Sequence, residues 1–215
     1  MDGVLADTGP IHFESWKKMA NEIGVKFTEE FFEKTFGQQS PPITRKLVGP
    51  EASEEDIIKW ANRKELYYRE MVQNKLEPLP GVLKLINILK EKLFKLAVGS
   101  SGPKENVELL LNSLKIKDYF DAIITAADVK NGKPAPDVFL IAAERCNVKP
   151  INCIVIEDAP VGIDAANNAE MKIIALTTTH AEKELQEADI VVPNLSLIDL
   201  DDILELFGIE QGGTN

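Results

Sequence analysis

Cys153-Ile154-Val155-Ile156-Glu157-Asp158 is an apolar run that ends abruptly in a pair of acids. A strand without alternation is buried on both faces, and such strands belong to parallel sheets covered by helices. The pattern repeats on either side. Downstream, a helix over Val161–Asn168 leads to a strand over Lys172–Leu176, then a short strand Ile190–Val192 and a helix near Ile198–Leu206. Upstream, a helix over Val82–Lys92 leads to a strand over Phe94–Val98, which ends in Gly99-Ser100-Ser101-Gly102. A helix over Pro103–Leu114 and a strand over Ala122–Thr125 follow. After Gly132-Lys133-Pro134-Ala135-Pro136 comes a helix over Asp137–Cys146. Strands and helices that alternate in this way predict an α/β fold with one parallel sheet.

The first part of the chain follows different rules. Met1-Asp2-Gly3-Val4-Leu5-Ala6-Asp7-Thr8 reads as the end of a strand entering a tight turn. Gly9-Pro10 breaks the backbone, and a helical stripe of Phe13, Trp16, Met19, Ala20 and Ile23 stops at Gly24. Thr28 caps a helix through Phe36, and Gly37 ends it. Gln38–Pro42 reads as a loop because of its double proline, with a short helix after it. Ser53 and Asp56 form a capping-box pattern at the head of a long helix carrying Ile57, Ile58, Ala61, Tyr68, Met71 and Val72. Leu76-Glu77-Pro78-Leu79-Pro80-Gly81 has the proline and glycine content of a hinge. The expected division is a helical unit over 11–79, inserted in an α/β unit formed by 1–10 and 80–215.

Composition narrows the partners. The net charge of −11 disfavours nucleic acid and anionic membrane surfaces. An apolar fraction of 44% and a charged fraction of 27% suit a soluble globular protein. No apolar run approaches the ~20 residues that span a bilayer, so the expected location is the cytoplasm. Cys146 and Cys153 are expected as reduced, buried thiols, and with His12 and His180 they make no zinc pattern.

In open parallel sheets, ligands bind beyond the carboxyl ends of the strands. The polar residues at those ends are Asp2 and Asp7, Ser100 and Ser101, Lys133 a loop further on, and Glu157 with Asp158. Each has an ordinary reading by itself: a turn, a helix cap, a surface lysine, a solvated strand end. Together they form an inventory suited to phosphoryl transfer. Carboxylates and carbonyls are hard ligands for Mg²⁺, a lysine offsets phosphoryl charge, and a serine at a helix start donates to phosphoryl oxygens.

With its motifs in this order, the chain resembles the haloacid dehalogenase superfamily, in particular its beta-phosphoglucomutase-like phosphatases. The motifs are Asp2 to Thr8, Val98-Gly99-Ser100-Ser101, Gly132-Lys133-Pro134-Ala135-Pro136-Asp137, and Ile156-Glu157-Asp158-Ala159-Pro160-Val161-Gly162-Ile163. The resemblance implies a Rossmann-like parallel sheet core with an inserted α-helical cap domain. It implies a Mg²⁺-dependent, monomeric phosphatase of small phosphorylated metabolites, sugar phosphates or similar, acting through an aspartyl-phosphate. It makes Asp2 the acid/base and a backbone ligand of the metal, Ser100 and Lys133 phosphate binders, and Asp158 a metal carboxylate with Glu157 beside it. Ser101 belongs to the same phosphate site. Thr8, His12 and Lys64 fall at substrate-side positions, and Asp7 lies near the hinge.

The family's nucleophilic aspartate corresponds to the position directly before Met1, so the expectation is that an upstream strand carries it and that Met1 is an internal methionine. The sugar-phosphate mutases place an arginine after the cap glycine, where Ser40 stands here. A serine does not replace a bidentate clamp. A mutase and an inactive phosphate-binding scaffold are the alternatives.

Overall fold

The computed structural model describes residues 1–72 and 76–209. The stretches 73–75 and 210–215, assigned by sequence to the helical unit and the α/β unit, lie outside the described residues. Four helices come first: α1 (Gly9–Glu22), α2 (Glu29–Thr35), α3 (Ser40–Val48) and α4 (Glu54–Val72). Helices and strands then alternate: α5 (Val82–Glu91), β1 (Ala97–Gly99), α6 (Lys104–Ser113), β2 (Ala122–Ile124), α7 (Asp137–Arg145) and β3 (Ile154–Glu157). The chain continues through α8 (Pro160–Asn168), β4 (Lys172–Leu176), β5 (Ile190–Val192) and α9 (Leu200–Glu205).

Two readings of proline needed correcting. Pro10 lies within the first turn of α1, and Pro41 and Pro42 within the first turn of α3, which begins at Ser40 rather than after a loop. The first N–H groups of a helix have no intrahelical partner, so proline loses nothing there. The caps behave as read. Thr28 accepts a hydrogen bond from the Phe31 N–H at 3.2 Å, and Ser53 accepts one from Asp56 at 3.1 Å.

Among the described residues every pairing between these strands is parallel, in the groups β1–β2 and β3–β4–β5, as expected of a parallel-sheet core. Between β1 and β3 runs a cleft of about 450 Å³, walled by Leu85, Val98, Phe139, Ile154, Ile156 and Ile174, with Met1, Val4 and Leu5 also on its lining.

The helical unit has a core of its own. Trp16, Met19, Ile43 and Tyr67 are buried together, with Phe27, Phe31, Phe32, Leu47 and Trp60 packed on them. Helices α1 and α3 both pack on α4. The chain enters and leaves this unit side by side, since Leu79 N–H donates to the Leu5 carbonyl at 2.9 Å and Ala6 bridges Pro78. Both cysteines are free thiols, half-buried rather than buried, and burial raises the pKa of each. No helix among the described residues is long and apolar enough to cross a membrane.

Candidate active site

The opening turn and the ends of β1 and β3 meet at one rim. Gly3 donates to the Ala6 carbonyl at 2.9 Å and has φ +62°, a conformation that glycine adopts at no steric cost. A Cβ on Gly3 would sit 1.9 Å from Asp158 Oδ2, so the turn lies directly against that carboxylate. Ser100, just past β1, continues the ladder by donating its N–H to the Ile124 carbonyl at 3.0 Å. Its hydroxyl accepts from Gly102 N–H at 3.1 Å.

Glu157 closes β3, and Lys133 reaches it from the loop before α7. Lys133 Nζ donates to Glu157 Oε1 and sits 4.8 Å from the centre of the Phe139 ring. Glu157 Oε2 accepts from the N–H groups of Asp158 at 2.9 Å and Ala159 at 3.3 Å. Burial opposes the charge on Glu157, but Lys133 and these donors hold its pKa below the usual carboxylate range. Asp158 goes the other way. Burial first and the Glu157 charge second push its pKa up, although Thr179 Oγ1 donates to its Oδ2 at 2.5 Å.

A second set of contacts arrives from the helical unit. Asp2 Oδ1 accepts from Thr8 Oγ1 at 2.7 Å and lies 3.3 Å from His12 Nε2. Lys64 Nζ is 2.7 Å from His12 Nδ1, and an ammonium only donates, so the histidine proton sits on Nε2 and points to Asp2. Burial and the Lys64 charge lower the His12 pKa, which keeps this neutral tautomer. The ring stacks on Tyr68 at 4.0 Å. Despite its burial, Asp2 is held below its ordinary pKa by the hydrogen bonds from His12 and Thr8. Lys64 also donates to Glu65 Oε1 at 3.1 Å.

A pocket of about 70 Å³ gathers Asp2, His12, Lys64, Ser100, Ser101, Lys133, Glu157 and Asp158. The remaining sequence-predicted residues lie elsewhere. Thr8 is fully buried, donates its hydroxyl to the Asp2 carboxylate and is not on the lining. Asp7 is exposed.

The model for haloacid dehalogenase-like hydrolases matches residues 1–176. The chain belongs to that family. It is 32% identical over 177 residues to a phosphorylated carbohydrates phosphatase of Thermotoga maritima, covering 81% of each chain. It is 33% identical over 176 residues to a fructose-1-phosphate phosphatase of Escherichia coli, covering 81% of this chain and 92% of that one. A beta-phosphoglucomutase crystal structure from Clostridium difficile superposes with a TM-score of 0.88 at 32% identity, over 96% of this chain and 94% of the other. This member of the hydrolase family is an enzyme of the phosphatase kind.

Its donors suit some metals and not others. No group of at least three His, Cys, Asp and Glu side chains gathers as a ready-made cage among the described residues. Both Glu157 oxygens are engaged, and the Asp2 carboxylate faces Thr8 and His12. What remains is the Asp158 carboxylate, buried and disfavoured as an anion, and the Asp2 backbone carbonyl. Mg²⁺, which takes one or two carboxylates and keeps much of its water, fits this sparse hard-oxygen set, and a zinc or calcium cage does not.

Four residues of the hydrolase site had no motif to announce them. Glu65, Asn106, Thr179 and His180 meet the site through packing. Asn106 Nδ2 donates to Glu65 Oε2 at 2.5 Å, and Arg69 Nη1 donates to Asn106 Oδ1 at 2.8 Å. His180 lies between the Asp158 carbonyl at 3.0 Å and the Glu33 carbonyl of α2 at 3.3 Å. One signal was available for the Lys64-Glu65 pair. Lys64 falls on the same helical stripe as Ile57, Ala61 and Tyr68, where a solvated lysine has no place.

Proposed function

We propose that this hydrolase is a Mg²⁺-dependent phosphatase of small phosphorylated metabolites, sugar or polyol phosphates among them, acting through an aspartyl-phosphate. The observation that carries this reading is the pocket lined together by Asp2, Ser100, Lys133 and Asp158, with Ser40 on the same lining. The relatives that are named phosphatases of phosphorylated sugars support it.

In this reading Ser100, Ser101 and Lys133 hold the phosphoryl oxygens, and Glu157 keeps Lys133 aimed at them. Mg²⁺, held by Asp158 and the Asp2 carbonyl, supplies charge neutralisation at the phosphoryl group when bound. Asp2, ionised as it is held here, takes a proton from water in the hydrolytic half. A phosphoryl anion bound beside it raises its pKa, which suits the half in which it protonates the leaving alcohol. The helical unit acts as a cap that closes the pocket to bulk water.

The test uses the purified protein and a broad panel of phosphorylated metabolites. Phosphate release that needs Mg²⁺ and stops with EDTA is expected. No release from any compound would overturn the reading, and interconversion of sugar phosphates without release would favour a mutase.

A further inference from the structure

The pocket has two ends, and the one formed by the helical unit carries chemistry that phosphate binding does not use. Its lining there is Trp16, Phe36, Ser40, Ile43, Lys64 and Glu65. Lys64 and Glu65 are 1% and 6% exposed. Glu65 Oε1 accepts from Ser40 Oγ and from Lys64 Nζ at 3.1 Å, while Oε2 accepts from Asn106 Nδ2 at 2.5 Å. The positive charge of Lys64 is therefore cancelled in place, and Ser40 has spent its only proton on a carboxylate. At the other end Lys133 is cancelled by Glu157. Among the described residues, neither lysine on the pocket lining is without an acid partner.

An inventory of unused positions says what can enter. A carboxylate has about four acceptor positions, so Glu65 keeps one beyond its contacts with Ser40, Lys64 and Asn106. An ammonium has three donors, so Lys64 keeps one beyond His12 and Glu65. One free acceptor beside one free donor is what a hydroxyl needs. Trp16, Phe36 and Ile43 offer apolar surface to the carbon side of the same molecule. A second anionic group would instead meet the Glu65 carboxylate, and burying it without a free cation is costly.

We propose that Glu65 is a specificity-determining residue: it makes this end of the pocket select an uncharged, hydroxyl-bearing leaving group and reject a second anionic group. The inference rests on the phosphatase reading of the pocket, and it is read out by binding as well as by turnover.

The matched pair of probes is glycerol 3-phosphate and 3-phosphoglycerate, which differ by a carboxylate in place of a hydroxymethyl group. Calorimetry in Mg²⁺ buffer at neutral pH, with phosphate release followed in parallel, measures both. The intact protein is expected to bind glycerol 3-phosphate tighter by at least about tenfold, the scale of a like-charge juxtaposition in a buried site. Glu65→Gln is expected to move the two affinities in opposite directions, weakening the triol phosphate and tightening the acid. Ser40→Arg, at the pocket rim, should tighten the acid further, and it serves if Glu65→Gln fails to fold. Equal affinities in the intact protein, no binding of glycerol 3-phosphate, or a variant that weakens both probes alike overturns the proposal. Selective binding without phosphate release leaves the specificity standing and sinks the phosphatase reading alone.

Discussion

The pocket holds two buried lysine–glutamate pairs that are built differently. Lys133 and Glu157 are 24 residues apart, and the pair depends on the backbone. Glu157 is fixed by N–H groups at the start of α8, and Gly162 approaches so closely that a Cβ there would lie 2.1 Å from Glu157 Cδ. Lys64 and Glu65 are neighbours on α4, and side chains alone hold them: His12 from α1, Ser40 from α3 and Asn106 from α6. A pair wired through the main chain can change only if the sheet and helix move. A pair wired through side chains can be retuned one substitution at a time. The first arrangement suits the phosphoryl group that every substrate shares, the second the part that differs between substrates.

Breaking the backbone-held pair is the severest test of this contrast. Lys133→Ala leaves Glu157 buried without its cation and should cost about 3–5 kcal/mol of stability in urea titrations, besides abolishing phosphate release. A loss below about 1 kcal/mol would mean that the backbone donors suffice for Glu157 and that the contrast is misdrawn. Gly162→Ala probes the same pair without touching a charge. The added methyl must displace the Glu157 carboxylate, at about 1–3 kcal/mol, and Lys133 loses its aim, so kcat should fall more than KM rises.

On the cap side the effects are smaller. His12→Ala removes a donor from Asp2 and lets its pKa rise toward the ordinary range. The acid limb of the kcat profile should move to higher pH, with a loss of about a hundredfold, the low end for acid–base groups. An unchanged limb would detach His12 from the proton chemistry.

Asp121 lies outside both pairs and sets the scale for a surface contact. It takes the Leu96 N–H at 3.0 Å and pairs with Lys95 and Lys90, which hold its pKa below the usual range. Because the folded pKa is the lower one, its contribution is present above the unfolded value of ~3.9 and fades as pH falls through the folded value. Asp121→Asn should cost about 1 kcal/mol or less at pH 7, after allowance for solvent screening, and lose less on acidification than the intact protein. Melting curves at neutral and acid pH measure both.

Much of the α/β unit was readable because its signals are local. Lys172–Leu176 and Ile190–Val192 are strands over the residues that their apolar runs predict, and Asp2, Ser100, Lys133 and Asp158 share one pocket as their strand-end positions require. What escaped depends on packing. Asn106 looks like any polar residue early in α6 until α4 lies over it, and Glu65 only then becomes a buried anion. The double proline looked like a break because its distance from the helix start cannot be judged without knowing where α3 begins.

Asp2 has its backbone in the opening turn and its carboxylate in the grip of α1. Under the proposed cap movement His12 would travel with α1 while the Asp2 backbone stays with the opening turn, so the 3.3 Å contact between them would double as a sensor of closure.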